Sequence, residues 1–544
     1  MVKLTIQEDR PTPKEVYNWK VYTYACLACW ASVMIGYDSA FIGTSLALQS
    51  FKDEFGLKTG TAEEKARFND LSANIVSTYQ GGCAAGALCS YFVGHYLGRK
   101  WGLFACALVF CVGAVLQVVA SSSTGLGIMY AGRFIVGWGV GVASSLTPIY
   151  VAEISPAAIR GRLIGIYEAG WQIGAVVGFW INYGINLNIP YGNKQWHISF
   201  AVQLIPGGML ALSAIFLSES PRWLVYKGRN VQARKNLSNI RNLPEDHPYL
   251  MEEMEEIEVA HERDQLAGGA GLWGPIKTLF RSPEYLKRVG IAVSLFAMQN
   301  GTGINAINYY SPTVFKSIGV SGTNTGLLTT GIFGLIKFAG AIVWLLYLVD
   351  RFGRKPLLIV GAAGGAISMY YIGAYIAIAK PENNPPGTKL SSGGISAIAF
   401  FYIWTCFYGP TWNGTPWVFG AEVMPTFVRA ATQSIIAASN WLFAFAIARA
   451  TPYMFQDMKY GVYLFFASFM VVSIPIVYFI VPETAHIRLE EMSDLFALPP
   501  RKAHGIIMSR NRDNANDRPA TAINSESFNE GDDEKGVESR NEYV

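Results

Sequence analysis

Residues 103–120 read LFACALVFCVGAVLQVVA, an apolar run of 18 residues without a charge. Residues 462–481 repeat the pattern as VYLFFASFMVVSIPIVYFIV. A helix rises 1.5 Å per residue, so about 20 residues cross a hydrocarbon layer of about 30 Å. A membrane barrel would alternate apolar and polar residues over strands of about 10 residues, and neither run alternates. Both read as membrane-spanning helices.

Outward from these two runs the same signal recurs along the chain. Six spans are expected near residues 21–47, 73–95, 102–121, 127–151, 162–185 and 198–217. Six more are expected near 288–316, 325–349, 356–379, 395–421, 432–453 and 460–481. With 51% hydrophobic and only 15% charged residues among 544, the chain lacks the charge of a soluble protein this long. The fold class that follows is an all-α membrane protein of twelve transmembrane helices. They form two six-helix, pseudo-symmetric bundles, residues 21–218 and 288–484. Between them, residues 219–287 are rich in Glu, Arg, Lys and Asn, and 252–263 read as an amphipathic surface helix. Residues 1–20 form a polar N-terminal segment with no cleavable signal, so the first span is its own insertion signal. Residues 485–544 form a tail, and from Arg501 onward its Asn, Asp, Glu, Ser and Arg content predicts disorder.

Basic residues in short loops orient a membrane protein. Arg99-Lys100, Arg160 to Arg162, Arg351 to Lys355 and Arg429 mark one side as cytoplasmic and place both termini there. All seven cysteines lie within apolar runs, which argues against a disulfide framework. The sequence carries no nucleotide loop, metal cluster or nucleophile–base set, so no cofactor, metal, nucleic acid or enzymatic activity is expected. Asn300-Gly301-Thr302 and Asn413-Gly414-Thr415 match the glycosylation pattern but lie at membrane depth, where modification is not expected.

The two halves echo each other. Gly98-Arg99-Lys100 follows the second span, and Asp350-Arg351-Phe352-Gly353-Arg354-Lys355 follows the eighth. Glu153 with Arg160-Gly161-Arg162 closes the fourth span, and Glu422 with Arg429 closes the tenth. A six-plus-six repeat with a polar linker is the architecture of alternating-access carriers. Arg99, Glu153, Arg162, Asp350, Arg354, Glu422 and Arg429 are therefore candidates for gating ion pairs.

These loops, with Pro148-Ile149-Tyr150-Val151-Ala152-Glu153, Glu219-Ser220-Pro221-Arg222-Trp223-Leu224, Gln299 to Asn305, Tyr309-Tyr310-Ser311 and Pro482-Glu483-Thr484, carry a resemblance. In this order and spacing they resemble the sugar porter family of the major facilitator superfamily, over most of residues 20–490. Arg10 to Trp19 and Gly36 to Leu46 look most like the fungal quinate permeases within it. His95 stands where the family usually has Asp, and Ala485-His486 where Lys-Gly is common. The resemblance implies a plasma-membrane, proton-coupled importer of a small polyhydroxylated substrate, acting as a monomer in the lipid bilayer.

Ionisable residues at mid-membrane cost about 2.5–3.5 kcal/mol each on insertion scales, so each needs a reason. Asp38 in the first span and Arg133 in the fourth read either as an ion pair settling two helices or as a proton switch. The resemblance favours the switch, because an Asp at this position marks proton-coupled members. Glu168 and Lys337 fall where the family usually has a Gln and an Asn that bind sugar hydroxyls. Two readings stand: a fixed salt bridge, or a Lys337 ammonium offered to a substrate carboxylate with Glu168 as its resting counter-ion. The second favours quinate or a sugar acid such as galacturonate over glucose or xylose.

Neutral candidates complete the site. Gln172 lies one turn after Glu168. Gln299 and Asn305 would point about 120° apart on an unbroken helix, and Gly301 and Gly303 between them allow a bend. Asn300 and Asn440 supply amides, which suit vicinal hydroxyls, and Trp417 offers an indole face to a ring. Ala444 stands where many family members have a further Asn. The alternatives to acid import are neutral monosaccharide transport and nutrient sensing without transport. The resemblance sets the early end of the chain after Thr484 against a sensor.

Overall fold

The computed structural model describes residues 12–57, 60–268, 271–381, 390–485, 487 and 492–516. Among them every regular element is a helix. The first span is two helices, Trp19–Ala28 and Trp30–Ser45. The second to fifth are Ala62–Tyr96, Lys100–Val119, Leu126–Ile154 and Arg160–Asn188. The sixth is again paired, Lys194–Ala201 and Leu204–Phe216. In the second half, the seventh span is Pro283–Gly301 with Ile304–Ile318, and the eighth is Thr323–Val343 running into a π turn, Trp344–Leu348. The ninth is Arg354–Ala379, and the tenth is Ser392–Tyr408 with Thr415–Glu422. Thr426–Asp457 and Gly461–Ile480 complete the set.

The second span starts at Ala62, well before the expected 73, because Thr61 and Glu64 form a capping box that nucleates polar turns. Eight of these spans are long and apolar enough to cross a membrane on their own. The second, fifth, seventh and tenth fall short because they carry polar residues or breaks. Of these, the second, fifth and seventh pack against the opposite bundle, where polar groups find partners that lipid would deny them.

Packing follows the repeat. In the first bundle, span 1 packs on 5, 2 on 4, 3 on 4 and 3 on 6; in the second, 7 packs on 11, 8 on 10, 9 on 10 and 9 on 12. Adding six to each number of the first set yields the second. Across the interface span 2 meets 11, 5 meets 8, and 1 meets 7, again a self-consistent set. Lipid supplies no hydrophobic drive between helices, so close backbone approach must hold them. Glycines allow it: a Cβ on Gly137 or Gly141 would lie 2.1 Å from the carbonyl oxygen of Tyr79 or Cys83.

Between the bundles, Pro221–Tyr226, Asn230–Arg241, Pro248–Gly268 and Trp273–Arg281 form a helical linker. Val16, Trp223, Leu224, Leu237 and Leu250 share a small core there. The Asn18 side chain accepts from Lys20 N–H at 2.8 Å and donates to the Ile240 carbonyl at 2.9 Å, tying the N-terminal segment to the linker. The tail departs from its composition. Helices Met492–Ala497 and Ala503–Asn516 follow the last span, with Leu495, Ala503 and Ile507 buried in the second bundle's core. A few spaced apolar residues suffice to dock these turns, and an average over a polar segment hides them. Residues 517–544 lie outside the described residues.

Candidate substrate and proton site

The seventh span supplies the key break. Its first helix ends at Gly301 and its second begins at Ile304, with Gly303 at φ +89°, a left-handed conformation that favours glycine. The break lets Gln299 and Asn305 face one central cavity between the bundles. Glu168 and Gln172 reach it from the fifth span, Lys337 from the eighth, Trp417 from the tenth, and Asn440 from the eleventh. Ala444 lines it as well. The stacked indoles of Trp171 and Trp441, 6.3 Å apart and 9° from parallel, form part of the wall.

Of the two readings of Glu168 and Lys337, the side chains do not build the direct salt bridge. Glu168 Oε1 accepts from Gln172 Nε2 at 2.8 Å and from Asn413 Nδ2 at 2.5 Å. Lys337 is 3% exposed, and among the described residues it makes no hydrogen bond and no ion pair within 4.0 Å. The carboxylate is satisfied by amides, and the ammonium is left facing the cavity. Asn413 went unassigned from sequence because it reads as a glycosylation pattern. Its location in the gap between Tyr408 and Thr415, where the tenth span breaks, is the signal that marks it.

The other amides divide by role. Gln299 Nε2 donates to the carbonyls of Trp412 at 2.7 Å and Asn413 at 3.0 Å, bracing the same gap. Asn300 stands behind the cavity instead of lining it: its Nδ2 donates to Asn440 Oδ1 at 3.0 Å, and its Oδ1 accepts from Asn305. It therefore orients two lining amides. Trp417 packs edge-on against Phe296, centroids 4.7 Å apart.

Asp38 and Arg133 meet as expected in space. Arg133 Nη1 lies 3.0 and 3.2 Å from the two carboxylate oxygens, and both residues are wholly buried. Arg133 Nε donates to the Ile75 carbonyl at 3.2 Å, and the guanidinium sits over the Tyr79 ring at 4.5 Å. A buried pair holds only with such supporting contacts, since desolvation offsets much of the attraction.

Residues 24–496 match the family model described as sugar (and other) transporter. The chain belongs to the sugar transporter family. It is 54% identical to the quinate permease of Emericella nidulans over 94% of this chain and 95% of that one. It is 52% identical to a probable quinate permease of Aspergillus flavus, over 94% of each. Among solved structures it resembles the proton:xylose symporter XylE bound to 6-bromo-6-deoxy-D-glucose, at 26% identity and TM-score 0.73, covering 88% of this chain and 99% of that one. The likeness extends to inward-open XylE from E. coli, at 25% identity and TM-score 0.68, over 87% and 99% of the two chains. The protein is thus a multi-pass membrane transporter of the sugar porter type and not an enzyme.

On the linker side the transporter carries twin clamps. Arg99 grips Glu153 through two bonds of 2.8 and 2.7 Å, and Arg354 grips Glu422 at 2.6 Å. Each clamp has a second acid that sequence reading left without a role. Glu219 accepts the backbone N–H of Arg99 at 2.9 Å, and Glu483 those of Arg354 at 2.9 Å and Lys355 at 2.8 Å. Thr484 donates to Glu422 at 2.8 Å. Glu153 and Glu422 are thus held by Arg99 and Arg354, four of the candidate gating residues. Arg162 is exposed, and Arg429 donates to the Met424 carbonyl at 3.1 Å. The side chain of Asp350, and His486 as a whole, lie outside the described residues.

Proposed function

We propose that this transporter imports a polyhydroxylated carboxylic acid, quinate or a sugar acid such as galacturonate, together with a proton. It works by alternating access at the plasma membrane, as a monomer with both termini in the cytoplasm. The observation that carries the reading is Lys337: a buried ammonium at the cavity whose nearest acid, Glu168, is already occupied by Gln172 and Asn413. A carboxylate there gains a charge-assisted bond in a water-poor site, while Asn305 and Asn440 offer amides to ring hydroxyls. The named quinate permeases among its relatives support the same substrate class. For the proton, the reading rests on Asp38, whose only ion-pair partner among the described residues is Arg133, across a helix interface.

The test is uptake of labelled quinate in transporter-deficient yeast, with galacturonate, glucose and xylose as competitors. Quinate uptake that rises with external acidity and collapses with a protonophore is the expected result. Uptake indifferent to both removes proton coupling, and competition by glucose and xylose alone moves the cargo to neutral sugars. That second reading is favoured by the likeness to a xylose symporter and by the cavity's amides.

A further inference from the structure

Asp38 is wholly buried and does not line the cavity, whereas the next residue, Ser39, does. Tyr79 neighbours both. Its ring supports the Arg133 guanidinium at 4.5 Å, and its buried hydroxyl lies close to both the Asp38 carboxylate and the Ser39 hydroxyl. That hydroxyl is buried within reach of both groups yet forms a well-aligned hydrogen bond with neither. An orphaned buried hydroxyl costs about 1–3 kcal/mol, so its retention beside the pair calls for a use.

The geometry on the Ser39 side is directional. Ser39 Oγ spends its own proton on the Ile35 carbonyl at 2.8 Å, so towards Tyr79 it acts as an acceptor. Tyr309, which lines the cavity from the seventh span, also faces Ser39, and it faces Gln80, whose two amide atoms are buried without a partner. The titratable and charged groups around Asp38 are Arg133 from the fourth span, Tyr79 and Cys83 from the second, and its own neighbour Tyr37.

We propose that the Tyr79 hydroxyl is a rotary relay that reports the protonation state of Asp38 to the cavity through Ser39. When Asp38 is ionised it can only accept, and the Tyr79 O–H points to it. When Asp38 carries a proton it becomes a donor to the Tyr79 oxygen, and the phenolic O–H turns to Ser39. No proton leaves Tyr79; one O–H bond rotates, and the transported proton stays on Asp38. Tyr309 belongs to the other bundle, so the cavity end of the relay is assembled only where spans 1 and 7 meet. Tyr79 is a positioning residue in this scheme, and the scheme rests on the proton-coupled reading above.

The test uses the purified full chain in proteoliposomes with quinate as the probe, and measures both accumulation under an inward proton gradient and counterflow without one. In Tyr79→Phe, accumulation relative to counterflow should fall about tenfold, the worth of one well-placed hydrogen bond. The pH of half-maximal accumulation should rise by about one unit, because ionised Asp38 loses a donor. Ser39→Ala should move the accumulation-to-counterflow ratio in the same direction. Should Tyr79→Phe lose counterflow as well, Ser39→Ala decides, and a wild-type ratio there overturns the relay. A wild-type profile in Tyr79→Phe overturns it too, provided Asp38→Asn abolishes gradient-driven accumulation. If wild type itself ignores the gradient, or Asp38→Asn still accumulates quinate, the proton-coupled reading has failed and the relay with it.

Discussion

Asn413 of the tenth span donates to the Glu168 carboxylate of the fifth at 2.5 Å, so a hydrogen bond joins the two bundles through the cavity itself. Alternating access requires the bundles to move against each other, and this bond must break or be replaced as they do. It also decides what Glu168 is free to touch.

Asn413→Ala should release Glu168 towards Lys337. The new ion pair competes with an acidic substrate, and the apparent affinity for quinate should drop about tenfold, the worth of one displaced hydrogen bond. Concentration dependence of labelled quinate uptake measures this. An unchanged KM argues that Glu168 stays in place without Asn413.

Lys337→Asn removes the cavity's ammonium and restores the amide common in the family. Quinate uptake should fall about a hundredfold, on the scale of a lost charge-assisted bond, with glucose and xylose uptake spared or gained. Competition assays in yeast distinguish this from a general defect, which would lower all four substrates together.

Gly303→Ala should be poorly tolerated. The residue sits at φ +89°, and an added Cβ would meet the Phe466 ring at 2.8 Å. Backbone strain alone costs about 1–2 kcal/mol, and the clash adds to it. Thermal unfolding in detergent should show a clear drop in Tm, against Gly127→Ala in the fourth span, where nothing lies within 4 Å of the added carbon.

Glu219 predicts a pH dependence. Burial holds its carboxyl above the usual carboxylate range, opposed by the N–H groups of Ser220, Arg99 and Lys100. The folded protein therefore keeps this proton where the unfolded chain has released it. Its contribution to stability is full below the ordinary carboxylate range and declines as pH rises through the raised value. Glu219→Gln should flatten that slope in a Tm series from about pH 4 to about pH 8, and an unaltered slope would assign the dependence elsewhere.

Much of the site was legible in the chain, though unevenly. Asp38 and Arg133, 95 positions apart, could be paired because isolated charges in apolar runs seek each other. For Glu168 and Lys337 the same logic leaves two readings open, because it does not show that Gln172 and Asn413 take the carboxylate's hydrogen bonds. Charge is visible in a sequence at any distance, whereas an amide competing for the same oxygen is not. Asn300 shows the complementary limit, since its neighbours Gln299 and Asn305 line the cavity and it does not. The turn of a broken helix sets that difference.

By itself, the sequence determined that the chain is a bundle of membrane helices arranged twice over. Lipid forces each run such as LFACALVFCVGAVLQVVA to pair its backbone groups within one helix, so length and hydropathy leave no other solution. Tertiary structure alone decided which acid meets which donor. Glu168 and Asn413 are 245 residues apart, and only the packing of two bundles brings them within one hydrogen bond and leaves Lys337 to the cavity.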